Sequence, residues 1–122
     1  MNQEEMKQRT KEFAKRIIKL CRSLPDTCES RRIGDQLFRA GTSVGANYRA
    51  ACRARSKSEF ISKLSIVLEG TDESLYWLEI IAETKMLQEK LLLSLMQEGN
   101  ELIAILVSTI NTSKSSNRRD AK

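Results

Sequence analysis

Histidine is missing from this 122-residue chain, and that one absence removes a wide range of chemistry. The commonest general base, the usual zinc and haem ligand and the Glu-x-x-His pairs of di-iron helical bundles all go with it. Proline occurs once and glycine five times, too few to punctuate a protein built from many short strands and turns. Cysteine is scarce: Cys21, Cys28 and Cys52 are odd in number and lack CxxC spacing, which excludes a disulfide framework or zinc knuckle and leaves thiols buried as small apolar groups. No run approaches the roughly 18 to 20 apolar residues of a membrane span, and the opening Met1-Asn2-Gln3-Glu4-Glu5 has no apolar signal core. A soluble cytoplasmic protein is expected. There is no P-loop, no dinucleotide glycine fingerprint, and no serine or cysteine nucleophile with a base nearby in sequence. The expectation is therefore a non-enzymatic protein without cofactor or metal. Glu69, Asp72 and Glu73 come nearest to a cation site, but carboxylates along one helix face read as solvated or ion-paired surface.

What is present is helix-forming material arranged with helical period. Met6, Thr10, Phe13, Ile17, Leu20 and Leu24 fall on one stripe, opposite Lys11, Lys15, Lys19 and Arg22. Pro25 ends that first helix, and Asp26 with Glu29 has capping-box spacing for a second. Ile33, Leu37, Ala40, Val44, Tyr48 and Ala51 then form a narrow apolar seam. Gly41 and Gly45 lie inside it, each costing about 1 kcal/mol relative to alanine in a helix interior. With Ala40, Ser43, Ala46 and Ala50 around them, they mark a place where another backbone approaches closely.

Ser56 and Glu59 repeat the capping-box spacing before a third helix, whose core stripe includes Leu64, Val67, Leu75, Leu78 and Ile81. Ile66, Trp77 and Ile80 fit neither this stripe nor the acidic face of Glu69, Asp72, Glu73, Glu79 and Glu83. They form a second apolar strip that one bundle core cannot cover, which points to an oligomer interface. A polar connection around Thr84 to Glu89 leads to a fourth helix with Leu92, Leu95, Leu102, Leu106 and Ile110 on its apolar face. The expected architecture is all-α, an up-down-up-down antiparallel four-helix bundle over residues 1–112, followed by a flexible basic tail over 113–122.

The net charge of +5 is unevenly spread. Residues 1–25 carry seven bases and three acids, residues 26–63 eight and four, and residues 64–85 one and five. Arg32, Arg39, Arg49, Arg53 and Lys57 fall within about 100° on the side opposite the second helix's apolar seam. Cations spaced along a helix can meet successive phosphates, the main attraction in binding nucleic acid without sequence preference. A solvated helix face is the alternative reading. Tyr48 lies on the core side and Trp77 on the acidic helix, so few aromatics remain to stack on bases, and binding would be to backbone.

The run Gln36-Leu37-Phe38-Arg39-Ala40-Gly41-Thr42-Ser43-Val44-Gly45-Ala46-Asn47, followed by Arg53, Ser56, Lys57, Glu59 and Phe60, resembles the bacterial four-helix-bundle family of proteins encoded in 23S ribosomal RNA intervening sequences. The resemblance extends from about Phe13 to the middle of the fourth helix. Where many members continue with Ile-Ala-Glu-Gly, this chain has Tyr48-Arg49-Ala50-Ala51, adding positive charge where others carry an acid. The resemblance implies a homopentameric ring. It also implies a relation to the accessory variability determinant of diversity-generating retroelements, which associates with nucleic acid and reverse transcriptase.

Two functional readings follow. In the first, the chain is an oligomeric accessory protein that binds RNA or DNA backbone through Arg32, Arg39, Arg49, Arg53 and Lys57, with rRNA or a reverse transcriptase as a possible partner. In the second, it is an oligomeric scaffold whose charged faces pair between subunits. Arg49 and Arg53, one turn apart beside Ala46 and Ala50, are the best-placed pair in the first reading; Lys11, Lys15 and Lys19 are the reserve.

Overall fold

A computed structural model describes residues 1–120, with side chains described through residue 116. Four α-helices follow one another: α1 (Gln3–Arg22), α2 (Cys28–Cys52), α3 (Lys57–Glu83) and α4 (Leu93–Asp120), with a short 3-10 turn at Glu89–Leu91 before the last. Packing runs α1 to α2 to α3 to α4, and α1 meets α4 at few places. The expected four-helix bundle is present, with no strand among the described residues.

Short polar side chains set the starts of the first three helices. Asn2 accepts from the Glu5 N–H at 2.8 Å, Thr27 from Ser30 at 3.2 Å and Ser56 from Glu59 at 3.1 Å, each satisfying an amide that the helix itself leaves without a partner. The second of these corrects the sequence reading. The cap of α2 is Thr27, not Asp26, whose carboxylate accepts from Arg31 instead. Thr27 is preferred because its extended backbone, φ −124° and ψ 161°, aims its hydroxyl at the first turn. At the far end of α3, Lys85 turns the chain with φ 60°, a left-handed conformation that commonly terminates helices.

The core is built from the stripes read in the sequence. Phe13, Ile17, Leu37, Val44, Leu64, Val67, Leu78, Ile81, Leu92, Leu102 and Leu106 are almost wholly buried. Gly41 and Gly45 explain how α1 sits so close to α2. A Cβ on Gly41 would come within 2.7 Å of Ile17, and one on Gly45 within 3.2 Å of the Thr10 carbonyl oxygen.

The division at residue 112 has no counterpart in the fold. α4 runs on through it, because serine, lysine and asparagine are tolerated in a helix already nucleated by a packed segment. Lys57 donates to Ser116 at 2.6 Å within this extension, and residues 121 and 122 of the expected tail lie outside the described residues. No helix among the described residues is long and apolar enough to cross a membrane.

Candidate nucleic-acid interface

The five cations read as one stripe are divided by the structure. Arg32, Arg39 and Arg49 lie exposed on α2, but the helix ends at Cys52, Arg53 is its C-cap and Lys57 is the first residue of α3. A stripe drawn through Lys57 as though one helix continued is therefore wrong: the Ser56 cap starts a new helix with a new direction. Arg39 donates to Gln36 at 2.7 Å, and Lys57 is engaged with Ser116. Ten residues separate Arg39 from Arg49, about 15 Å along the helix.

Arg49 and Arg53, in contrast, acquire company from α1. Lys7, Gln8 and Lys11 join them around a cleft of about 350 Å³, with Glu4 at its edge. The cleft exists because of Gly45. Its missing side chain lets the α1 backbone at Thr10 and Lys11 lie against α2, and one turn further along α2 stands Arg49. Four cations thus face one carboxylate. Lys7 pairs with that Glu4 at 3.1 Å, whereas Lys11, Arg49 and Arg53 have no acidic partner within salt-bridge distance among the described residues. The last turn of α2 also presents the negative end of its helix dipole, which favours cations there. Exposed guanidinium and ammonium groups from two helices can grip a phosphate from both sides, Arg by paired N–H donors and Lys as a point charge.

Arg49 and Arg53 stand out in the sequence pattern, whereas Lys11 falls there on a separate face with Lys15 and Lys19, and nothing in the pattern marks Lys7. The structure parts Lys11 from its neighbours: Lys15 is tied to Glu12 at 3.1 Å and Lys19 lines a different groove. The signal that could have joined Lys11 to Arg49 was Gly45, which marks where α1 crosses.

The proposed apolar strip on α3 is also redrawn. Ile66 is 49% exposed, but Trp77 and Ile80 are half-buried. Trp77 packs against the core and donates its indole N–H to Glu73 at 3.1 Å. Tyr76, unnoticed in the sequence, stands 53% exposed and edge-on to Trp77 with ring centroids 5.0 Å apart. No group of three or more Cys, Asp or Glu among the described residues is arranged to hold a metal ion.

A four-helix bundle whose charged clefts are open to solvent belongs to a class of small helical proteins that the fold alone does not tie to a reaction. The model of the 23S rRNA-intervening sequence protein family matches residues 2–108, and the chain belongs to that family. It is similar to a crystallised protein of unknown function from the S23 ribosomal protein family of Bacteroides thetaiotaomicron. The two are 34% identical, with 91% of this chain and 99% of the other covered and a TM-score of 0.84. No curated protein matches the chain.

Proposed function

We propose that this chain is a non-enzymatic accessory protein of the cytoplasm that binds nucleic-acid backbone in the cleft between α1 and α2. The observation that carries the reading is the convergence of Lys7, Lys11, Arg49 and Arg53, three of them without a carboxylate partner among the described residues. Uncompensated cations held on two rigid helices attract a polyanion without paying to break internal ion pairs. No aromatic side chain among the described residues lines the cleft, which predicts little sequence discrimination. Arg32 and Arg39 extend the positive surface along α2 and lengthen the footprint. The family's connection with 23S rRNA intervening sequences favours RNA as the polyanion, with rRNA or a reverse transcriptase complex as the setting and a homopentamer as the assembled form.

A second reading is an oligomeric scaffold without a nucleic-acid role. It is favoured by Glu69, Asp72, Glu73, Glu79 and Glu83, none of which has a basic partner within salt-bridge distance among the described residues.

Fluorescence anisotropy with generic RNA and DNA separates the two. The triple variant Lys11→Glu, Arg49→Glu, Arg53→Glu is expected to lose binding, while the control Lys15→Glu, Arg22→Glu retains most of it. Absence of binding by the unaltered protein at low salt refutes the nucleic-acid reading.

A further inference from the structure

The seam between α1 and α4 is packed less tightly than the others, and polar contacts hold its first part. Arg9 donates to both carboxylate oxygens of Glu98 and reaches Glu101 at 3.3 Å, and further along Arg16 donates to the Ser94 hydroxyl at 2.9 Å. Beyond that point a groove of about 320 Å³ opens over Leu20, Leu87, Leu91 and Leu95. Leu20 and Leu95 are buried in its floor, whereas Leu91, at the end of the short turn before α4, stands 60% exposed. The polar side chains around it are Arg16, Lys19 and Ser23, and no carboxylate lines it. The Ser23 hydroxyl is already spent on the Lys19 carbonyl at 3.3 Å. The two cations are not spent: neither has an acidic partner within salt-bridge distance among the described residues. Three residues apart on one helix, they are neighbours on its surface, and the contact with Ser94 leaves most of the Arg16 N–H donors over.

We propose that this groove binds a long-chain carboxylate, with its alkyl chain along Leu20, Leu87, Leu91 and Leu95 and its carboxylate between Arg16 and Lys19. Charge selects the anion. A carboxylate takes paired N–H donors from Arg16 and a point charge from Lys19, and no acid in the groove repels it. The floor selects the chain. Leucine side chains offer no hydrogen bond, so a sugar or another polar body lying on them would lose its contacts with water and gain none, whereas each methylene gains by leaving water. Size selects a small molecule over a protein. From Arg16 to Ser23 the groove follows about 10 Å of α1, while a stable protein contact buries about 800 Å² on each partner. Its volume falls instead at the lower end of small-molecule sites, which run from about 300 to 1,000 Å³. The nucleic-acid cleft does not compete for this ligand, because its walls are Lys, Arg, Gln and Glu side chains with no apolar floor.

Titration calorimetry on the nucleic-acid-free protein tests this with hexanoate, octanoate and decanoate, each kept below its micelle-forming concentration. Decanoate is expected to saturate one site per chain, with affinity rising about fourfold for each methylene along the series. Decanol, which has the same chain without the charge, is expected to bind about tenfold more weakly. Two variants separate head from chain, both at exposed positions where the fold is not at risk. Lys19→Glu is expected to weaken decanoate about tenfold and leave decanol unchanged, whereas Leu91→Ser weakens both. Lys15→Glu makes the same change of charge on the same helix outside the groove, and is expected to leave both affinities as they were. Failure of decanoate to saturate, equal affinities for decanoate and decanol, or decanoate binding that Lys19→Glu leaves intact overturns the proposal. Sedimentation with vesicles of anionic phospholipid covers the other source of the same chemistry: a protein that follows the vesicles but does not bind decanoate docks on a membrane surface, which also overturns it. RNA affinity recorded with and without saturating decanoate is expected to be the same, so a failure of either site leaves the other standing.

Discussion

Gly41 faces the branch point of Ile17, a side chain with no exposed surface and nowhere to move. Gly41→Ala gains up to about 1 kcal/mol of helix propensity but forces overpacking that costs about 1 to 3 kcal/mol. A net loss is expected, read as a lower urea midpoint with unchanged slope. Tyr48 is buried, and that burial, reinforced by the neighbouring Cys52 thiol, raises its phenol well above its usual value of 10.0. The unfolded chain therefore gives up this proton first. The contribution of Tyr48 to stability is intact below pH 10 and is lost as pH climbs beyond it. Urea titrations at pH 9 and pH 11 are expected to show a smaller alkaline loss for Tyr48→Phe than for the unaltered chain.

Between the helices, the loosest seam is held by a few polar contacts. Arg9 spans α1 and α4 through Glu98 and Glu101, its guanidinium pKa raised by the hydrogen bonds it donates to Glu98 despite some desolvation. Glu98→Gln keeps the shape but removes the charge. It is expected to destabilise the protein by about 1 to 2 kcal/mol, with the deficit shrinking as salt rises. Such contacts were not legible in the sequence, because Arg9 and Glu98 lie far apart in the chain and neither belongs to a motif. The helices were legible, since Met6, Thr10, Phe13, Ile17 and Leu20 repeat at helical spacing and every one is buried. So was the close approach at Gly41 and Gly45, although not the helix responsible. The candidate site was read by half: Arg49 and Arg53 share a helix face, whereas Lys7 and Lys11 reach them only through the crossing of α1. Tyr76 escaped because three of its four neighbours at helical spacing, Asp72, Glu73 and Glu79, are acids, which hide an exposed ring within an apparently solvated face.

For the whole molecule, a single patch of cations serving both a polyanion and a small carboxylate would leave the two proposals entangled. The cleft and the groove lie on different seams, α1–α2 and α1–α4, so the two attractions are separable. The logarithm of nucleic-acid affinity falls linearly with the logarithm of salt, at about 0.7 to 0.9 per phosphate neutralised. The decisive measurement is that slope for the unaltered chain and for Arg49→Gln with Arg53→Gln, with oligomer mass recorded alongside. The cleft account predicts weaker binding, a slope shallower by about 1.4 to 1.8, and unchanged mass. Equal slopes and equal affinities at unchanged mass would contradict it.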